Sequence, residues 1–239
     1  MKRSIWIGWD PREQDAFHVA VRSIQAHLSD AIPIFAVALE PLQRRGVYQR
    51  PMTKMNGQLW DVISDAPCST EFAISRFLVP HLAGEGLALF MDSDMLVRAD
   101  VAELFDRFDT KHAVECVQHR HEPAATTKMD GQMQTSYPFK NWSSVMMINC
   151  DHPANKALTV TKINTWAGRA LHSFAWLEGD HLIGALDKSW NHLVGVDKPD
   201  PDCRIAHMTL GIPSMPGYAE CEHAEEWWQF LRQPEACQG

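Results

Sequence analysis

Apolar positions in the first hundred residues alternate between short continuous runs and stretches of helical spacing, the pattern that builds an α/β sheet. Ile5-Trp6-Ile7-Gly8-Trp9 predicts a strand over 5–9, followed by the polar turn Asp10-Pro11-Arg12-Glu13. Phe17, Val21, Ile24 and Leu28 then recur on one helical face. A second strand over 32–39 carries Pro33 near its start and closes at Glu40-Pro41. Strand, helix and strand in this order form a βαβ unit, for which a right-handed crossover is expected. A helix is predicted over 71–82. Leu87-Ala88-Leu89-Phe90-Met91 contains no polar residue, as expected of a strand buried on both faces in the middle of a parallel sheet. Asp100 and Glu103 have capping-box spacing and open a short helix bearing Val101, Leu104, Phe105 and Phe108.

The second half is less regular. Strands are predicted over 113–117 and 144–149, the latter around Val145-Met146-Met147-Ile148, with a long polar loop over 122–137 between them. Helical patterns follow over 154–167 and 179–186. A last strand covers 204–207, and a Trp-rich helix covers 225–231. Regular alternation giving way to irregular insertions reads as one α/β domain with a mainly parallel or mixed sheet. We divide it at residue 110 into two halves, 1–110 and 111–239.

Composition narrows the function classes. The 239 residues, 45% hydrophobic and 22% charged, suit a soluble globular chain with a real core. A net charge of -8 without a basic stripe argues against nucleic acid as a partner. The same charge means that a phosphate-bearing ligand needs a metal or placed basic groups. No apolar run reaches membrane-spanning length, and Met1-Lys2-Arg3-Ser4 leads into a strand rather than a signal-peptide core. Glu222, Glu225 and Glu226 oppose peripheral membrane attachment. Cys68, Cys116, Cys150, Cys203, Cys221 and Cys237 lack Cys-x-x-Cys spacing, which favours reduced thiols in a cytoplasmic protein.

Candidate chemistry starts where the 87–91 strand runs into Asp92-Ser93-Asp94. In open α/β sheets ligands bind at the carboxyl ends of strands, and acids at i and i+2 of an extended segment can converge on one hard cation. With 30 acidic residues in the chain such a pair also arises by chance, so the strand context carries the argument. His207 ends a short apolar strand and adds an imidazole, tilting the metal toward Mn²⁺ over Mg²⁺; alone it reads as a structural histidine. Gly211 in the turn beyond could bring backbone N–H groups to a phosphate. Glu178 and Asp180 open a predicted helix, where acids complement the dipole or cap the end. Their functional alternative is a carboxylate near a reacting sugar carbon. Asp10 occupies a turn at a strand end, and Trp9 beside it could stack on a base or pack in the core.

Together these segments resemble glycosyltransferase family 8 and its relatives, nucleotide-sugar enzymes with a Rossmann-like nucleotide-diphospho-sugar transferase fold. Ile5-Trp6-Ile7-Gly8-Trp9-Asp10 resembles the family's first strand and nucleotide-binding turn. Ser75-Arg76-Phe77-Leu78-Val79-Pro80 resembles its arginine-bearing helix, and Leu89 to Val97 its Leu-Tyr-Leu-Asp-x-Asp-x-Leu-Val segment. Residues 141–149 are similar to the stretch lining the sugar site. Glu178-Gly179-Asp180 stands where the family has Asp-Gln-Asp, and His207 where a histidine completes the metal site. The resemblance implies that Asp92, Asp94 and His207 hold Mn²⁺ against a nucleotide diphosphate. It further implies that Gly8, Trp9, Asp10, Arg76, Asp92, Ser93 and Gly211 bind the donor, with Glu178 and Asp180 as catalytic acids. The implied reaction is hexose transfer from a UDP-sugar to a glycan, lipid or small-molecule acceptor, with retention. Three departures touch the sugar side. Gly179 replaces the central glutamine, Trp142-Ser143-Ser144 replaces Asn-x-Gly, and no lysine follows His207 in Gly211-Ile212-Pro213-Ser214.

Two rivals remain. Asp-x-Asp after a buried strand also serves acid-nucleophile phosphatases, but there it closes the first strand and precedes a small hydroxyl residue, unlike Met95-Leu96-Val97. Gly179 and Trp142 motivate a non-catalytic binding protein that keeps the fold.

Overall fold

The computed structural model describes residues 1–119 and 141–233. The predicted loop over 122–137 and Cys237 lie outside the described residues.

The first run forms β1 (Arg3–Trp9), and α1 (Gln14–His27) leads to β2 (Ile34–Ala38), which lies parallel to β1. After α2 (Leu39–Arg44) comes a small meander of β3 (Met52–Met55), β4 (Gln58–Asp61) and β5 (Ala66–Pro67). A 3₁₀ turn at Ser75–Leu78 and α3 (Val79–Ala83) precede β6 (Leu87–Met91), then β7 (Met95–Val97) and α4 (Ala102–Arg107). The second half contributes β8 (Val114–Cys116), β9 (Val145–Asn149), α5 (Val160–Thr165) and α6 (Gly168–His172). It ends with β10 (Ile183–Ala185), β11 (His192–Leu193), β12 (Ile205–His207) and α7 (Ala224–Arg232).

The main sheet has the order β10-β8-β9-β6-β1-β2. Only β9 runs against its neighbours, so β1, β2, β6, β8 and β10 all deliver their carboxyl ends to one edge. As its composition predicts, β6 is buried along its whole length. Ala88 and Phe90 face a core with Phe72, Phe77 and Trp176, whereas Leu87, Leu89 and Met91 face one with Ile5, Ile24 and Phe105. Each such Leu or Phe contributes about 1.5–3 kcal/mol by leaving water. A third cluster packs α7 through Trp227 and Phe230 against Ala16 and Val19 of α1.

Several expectations need correction. The helix over 71–82 is a 3₁₀ turn running into a short α-helix, because Pro80 has no N–H to donate back to Arg76 O and can stand only in a first helical turn. The pattern over 154–167 splits into a 3₁₀ turn at Pro153–Ala157 and α5. The helix over 179–186 is instead a 3₁₀ turn at Asp180–Leu182 followed by β10. Helix α1 does pack Phe17, Val21, Ile24 and Leu28 against the core, but its most deeply buried side also takes Ala16, Val19, Ala20 and Ser23, since small residues let it close onto β7, where Ser23 Oγ accepts from Val97 N–H at 3.1 Å. Asp100 does accept from the helix, at Ala102 N–H (2.9 Å), but the Glu103 carboxylate goes to Arg107 and Arg204 rather than closing a capping box.

Candidate metal and donor site

The carboxyl end of β6 releases Asp92 and Asp94, and a second strand pairing brings His207 to them. β12 runs antiparallel to β7 with His207 opposite Met95, and Met208 N–H donates to Asp94 O at 2.9 Å. Local sequence thus places two acids, and a tertiary ladder places the imidazole. One ligand atom from each of Asp92, Asp94 and His207 lies within 4.8 Å of the other two. Two carboxylates with one imidazole suit Mn²⁺, and Mg²⁺ with less preference, more than zinc.

Arg76, nearly fully buried, donates Nε to Phe72 O and Ala73 O and Nη1 to Ser143 O, and pairs with Asp92 at 2.6 Å. Its guanidinium lies over the rings of Phe72 and Phe90 at 5.3 and 5.1 Å. His207 Nδ1 meets Asn191 Oδ1 at 2.9 Å, and its Nε2 is 3.4 Å from Asp94 Oδ1.

Asp92, Asp94, His207 and Arg76 line a cavity of about 460 Å³, together with Glu13 and Thr209. Asp61, residues 64–70 and the start of α6 line it as well. That part of the lining is held in place: Arg50, buried, pairs with Asp61 and donates to Ile163 O and Trp166 O, both at 2.7 Å. Ser64 links Asp61 to Gly168 N–H. His172 also lines the cavity, 2.7 Å from Ser143 Oγ, and burial together with the Arg76 charge pushes its pKa down to about 3, leaving a neutral ring.

The other residues singled out in the sequence fall elsewhere. A Cβ on Gly8 would lie 2.4 Å from the Phe72 ring, so Gly8 permits strand–ring packing. Trp9 packs edge-on against Phe17 at 4.9 Å. Asp10 is fully buried, and its oxygens accept from the Arg12 guanidinium, Arg12 N–H and Glu71 N–H at 2.7–3.0 Å. Burial alone would raise its pKa, but those donors outweigh it and hold the carboxyl below the usual carboxylate range. Ser93 is buried and donates to Glu13 Oε2 at 3.0 Å, holding that carboxylate at the cavity. Gly211 donates its N–H to Met208 O, and its Cα packs on Tyr218.

Glu178 and Asp180 are exposed and do not line the cavity. They precede β10, whose register with β8 (Ile183 opposite Val114) puts them at the amino edge of the sheet. Asp92 and Asp94 leave the carboxyl edge. The carboxyl end of β10 instead delivers Asn191, a site residue the sequence reading missed, in a 3₁₀ turn at Lys188–Asn191. Glu13 and His172 were missed too, whereas Ser143 falls in the 141–149 stretch that the resemblance placed at the sugar site. Because the sequence pattern predicts a helix over 179–186 in place of β10, no strand end pointed to Asn191. Among the described residues, the carboxylates on the cavity wall outside the metal set are Glu13, Asp61 and Asp65.

This architecture is the nucleotide-diphospho-sugar transferase fold of glycosyltransferases. The bifunctional glycosyltransferase WbbM matches with a TM-score of 0.62 at 14% identity, over 98% of this chain and 50% of that one. The galactosyltransferase LgtC, solved with donor and acceptor sugar analogues, matches at 0.60 and 15% identity, over 97% and 98%. GlyE of Streptococcus pneumoniae TIGR4 matches at 0.59 and 15%, over 98% and 62%. The chain therefore spans half of WbbM and under two thirds of GlyE. At such identities the likeness is one of fold. No protein-family model matches the chain. Protein CDI of Arabidopsis thaliana is 43% identical over 229 residues, covering 93% of this chain and 83% of that protein, and the chain belongs to the same family.

Proposed function

We propose that this chain is a metal-dependent glycosyltransferase that moves a hexose from a UDP-sugar to a glycan, lipid or small-molecule acceptor. The observation that carries the reading is the meeting of Asp92, Asp94 and His207 at the carboxyl edge of this fold, on the wall of a cavity. These three would hold Mn²⁺ or Mg²⁺. When bound, the cation neutralises negative charge on the departing diphosphate, worth several kcal/mol of barrier.

The chain's own residues have separate tasks. Arg76 offsets the carboxylate charge beside Asp92, which matters in a chain of net charge -8 that takes an anionic donor. The neutral His172 and Ser143 offer hydrogen bonds to uncharged hydroxyls. Arg50 holds the lining around Asp61 in place. Donor contacts from residues 1–110 and sugar or acceptor contacts from 111–239 complete the division of labour, and retention follows from the family-8 resemblance.

No helix among the described residues is long and apolar enough to cross a membrane. Among the described residues five cysteines are free thiols, four of them buried, which supports placement in the cytoplasm.

The test is UDP release from a panel of UDP-hexoses with and without Mn²⁺. Asp94→Ala is expected to lower turnover about 100-fold or more. Full turnover in that variant would overturn the reading. NMR of the product's anomeric proton reads retention.

A second reading, a non-catalytic nucleotide-sugar-binding protein, is favoured by one observation: neither Glu178 nor Asp180 lines the cavity. Calorimetry in which UDP binds with Mn²⁺, without donor hydrolysis or transfer to any acceptor, would select it.

A further inference from the structure

Asn191 is fully buried, and its side-chain amide is surrounded by groups of fixed polarity. Its Nδ2 lies 3.2 Å from Asn141 O and 2.9 Å from Ser144 Oγ. A carbonyl oxygen only accepts. Ser144 spends its single hydroxyl proton on Asn141 O at 2.7 Å, so toward Asn191 it too can only accept. The NH₂ end of the amide must face these two acceptors. Turning the amide over would set its oxygen against both.

The remaining end, Oδ1, therefore faces His207 Nδ1 at 2.9 Å as an acceptor, and Nδ1 must carry the proton. In the neutral ring Nε2 then presents a bare lone pair on the side of Asp94, whose Oδ1 is 3.4 Å away. An imidazole lone pair and a carboxylate turned toward each other draw a cation between them. From this chain of donors and acceptors, Asn141 to Ser144 to Asn191 to His207, we infer that Asn191 is a positioning residue. It fixes the Nδ1–H tautomer of His207 and so turns Nε2 into a metal ligand before any metal arrives.

The reason this matters is entropic and electronic together. A ligating histidine whose other nitrogen is hydrogen-bonded is held in orientation and made more basic. The inference rests on the metal reading of the preceding subsection, but the tautomer itself can be read without metal or nucleotide.

The experiment has two parts. Nitrogen-15 correlation NMR of the metal-free protein is expected to show His207 protonated at Nδ1; protonation at Nε2 instead would overturn the inference even if no variant folds. Mn²⁺ binding, followed by electron paramagnetic resonance of the free ion, is then compared between the unaltered chain and Asn191→Leu, which keeps the branching of the side chain and removes the acceptor. Affinity is expected to fall about 10–100-fold, with the His207 tautomer lost. A folded Asn191→Leu protein that keeps its Mn²⁺ affinity within about twofold would overturn the assignment. If the unaltered chain shows the Nδ1–H tautomer but binds neither Mn²⁺ nor Mg²⁺, the metal reading fails, and with it the claim that the tautomer serves a metal.

Discussion

Asp10 illustrates how a residue at the right place in a fold can be given to structure. It sits at the carboxyl end of β1, where a ligand contact was expected, yet Arg12 and the Glu71 N–H occupy its oxygens. Its work is to tie the β1 turn to residues 69–71, helped by Arg12 donating to Ser69 O at 2.7 Å. Asp10→Ala would leave buried N–H groups unsatisfied and should cost about 1–3 kcal/mol in denaturant unfolding. Because the folded carboxyl is held below its unfolded value, this contribution is complete above the unfolded pKa of about 3.9 and fades as pH falls through the folded value. The stability gap between the unaltered chain and the variant should therefore be constant from neutral pH down to about 5 and shrink below about 4. A gap that persists undiminished at the acid end would contradict the ionised carboxylate.

Among elements, the contact of β1 with Phe72 sets how closely the strand and the segment before the 3₁₀ turn approach. Phe72 is fully buried and also meets Phe90 and Arg76. Gly8→Ala inserts a methyl where no space exists and should cost about 1–3 kcal/mol, read as a lowered unfolding midpoint. Combined with Phe72→Leu the two costs should not add, since the smaller side chain vacates the clash. Full additivity would mean that the strand, not the ring, gives way. The small meander is a different lesson. Asn56 and Gly57 both have positive φ, 52° and 81°, and form the turn between β3 and β4. Asn-Gly is a strong hairpin signal, but the flanking Met52–Met55 and Gln58–Asp61 lack a clear apolar alternation, so periodicity passed over it. The β6 strand and its acids were legible because burial on both faces leaves an unbroken apolar run.

At the scale of the molecule, the direction of strands decides which acids can act together. β10 is parallel to β8, so whatever precedes it lies at one edge and whatever follows it at the other. Glu178→Gln and Asp180→Asn should each leave Mn²⁺ affinity and turnover within about twofold, as surface changes remote from a site do. A loss of turnover comparable to that of Asp94→Ala would show that these acids reach the reacting sugar after all.

The sequence by itself determined the βαβ start, the buried β6 strand, the pair Asp92 and Asp94 at its end, and the family of folds to which they belong. These are local facts: an apolar run, the residues that follow it, and their spacing. The resemblance already set His207 beside those acids; only the tertiary structure decided that a ladder with β7 brings it there, that Asn191 stands behind it, and that Glu178 and Asp180 lie outside the cavity. Pairing between distant strands fixes edge and register, and neither is written in the residues on either side of a turn.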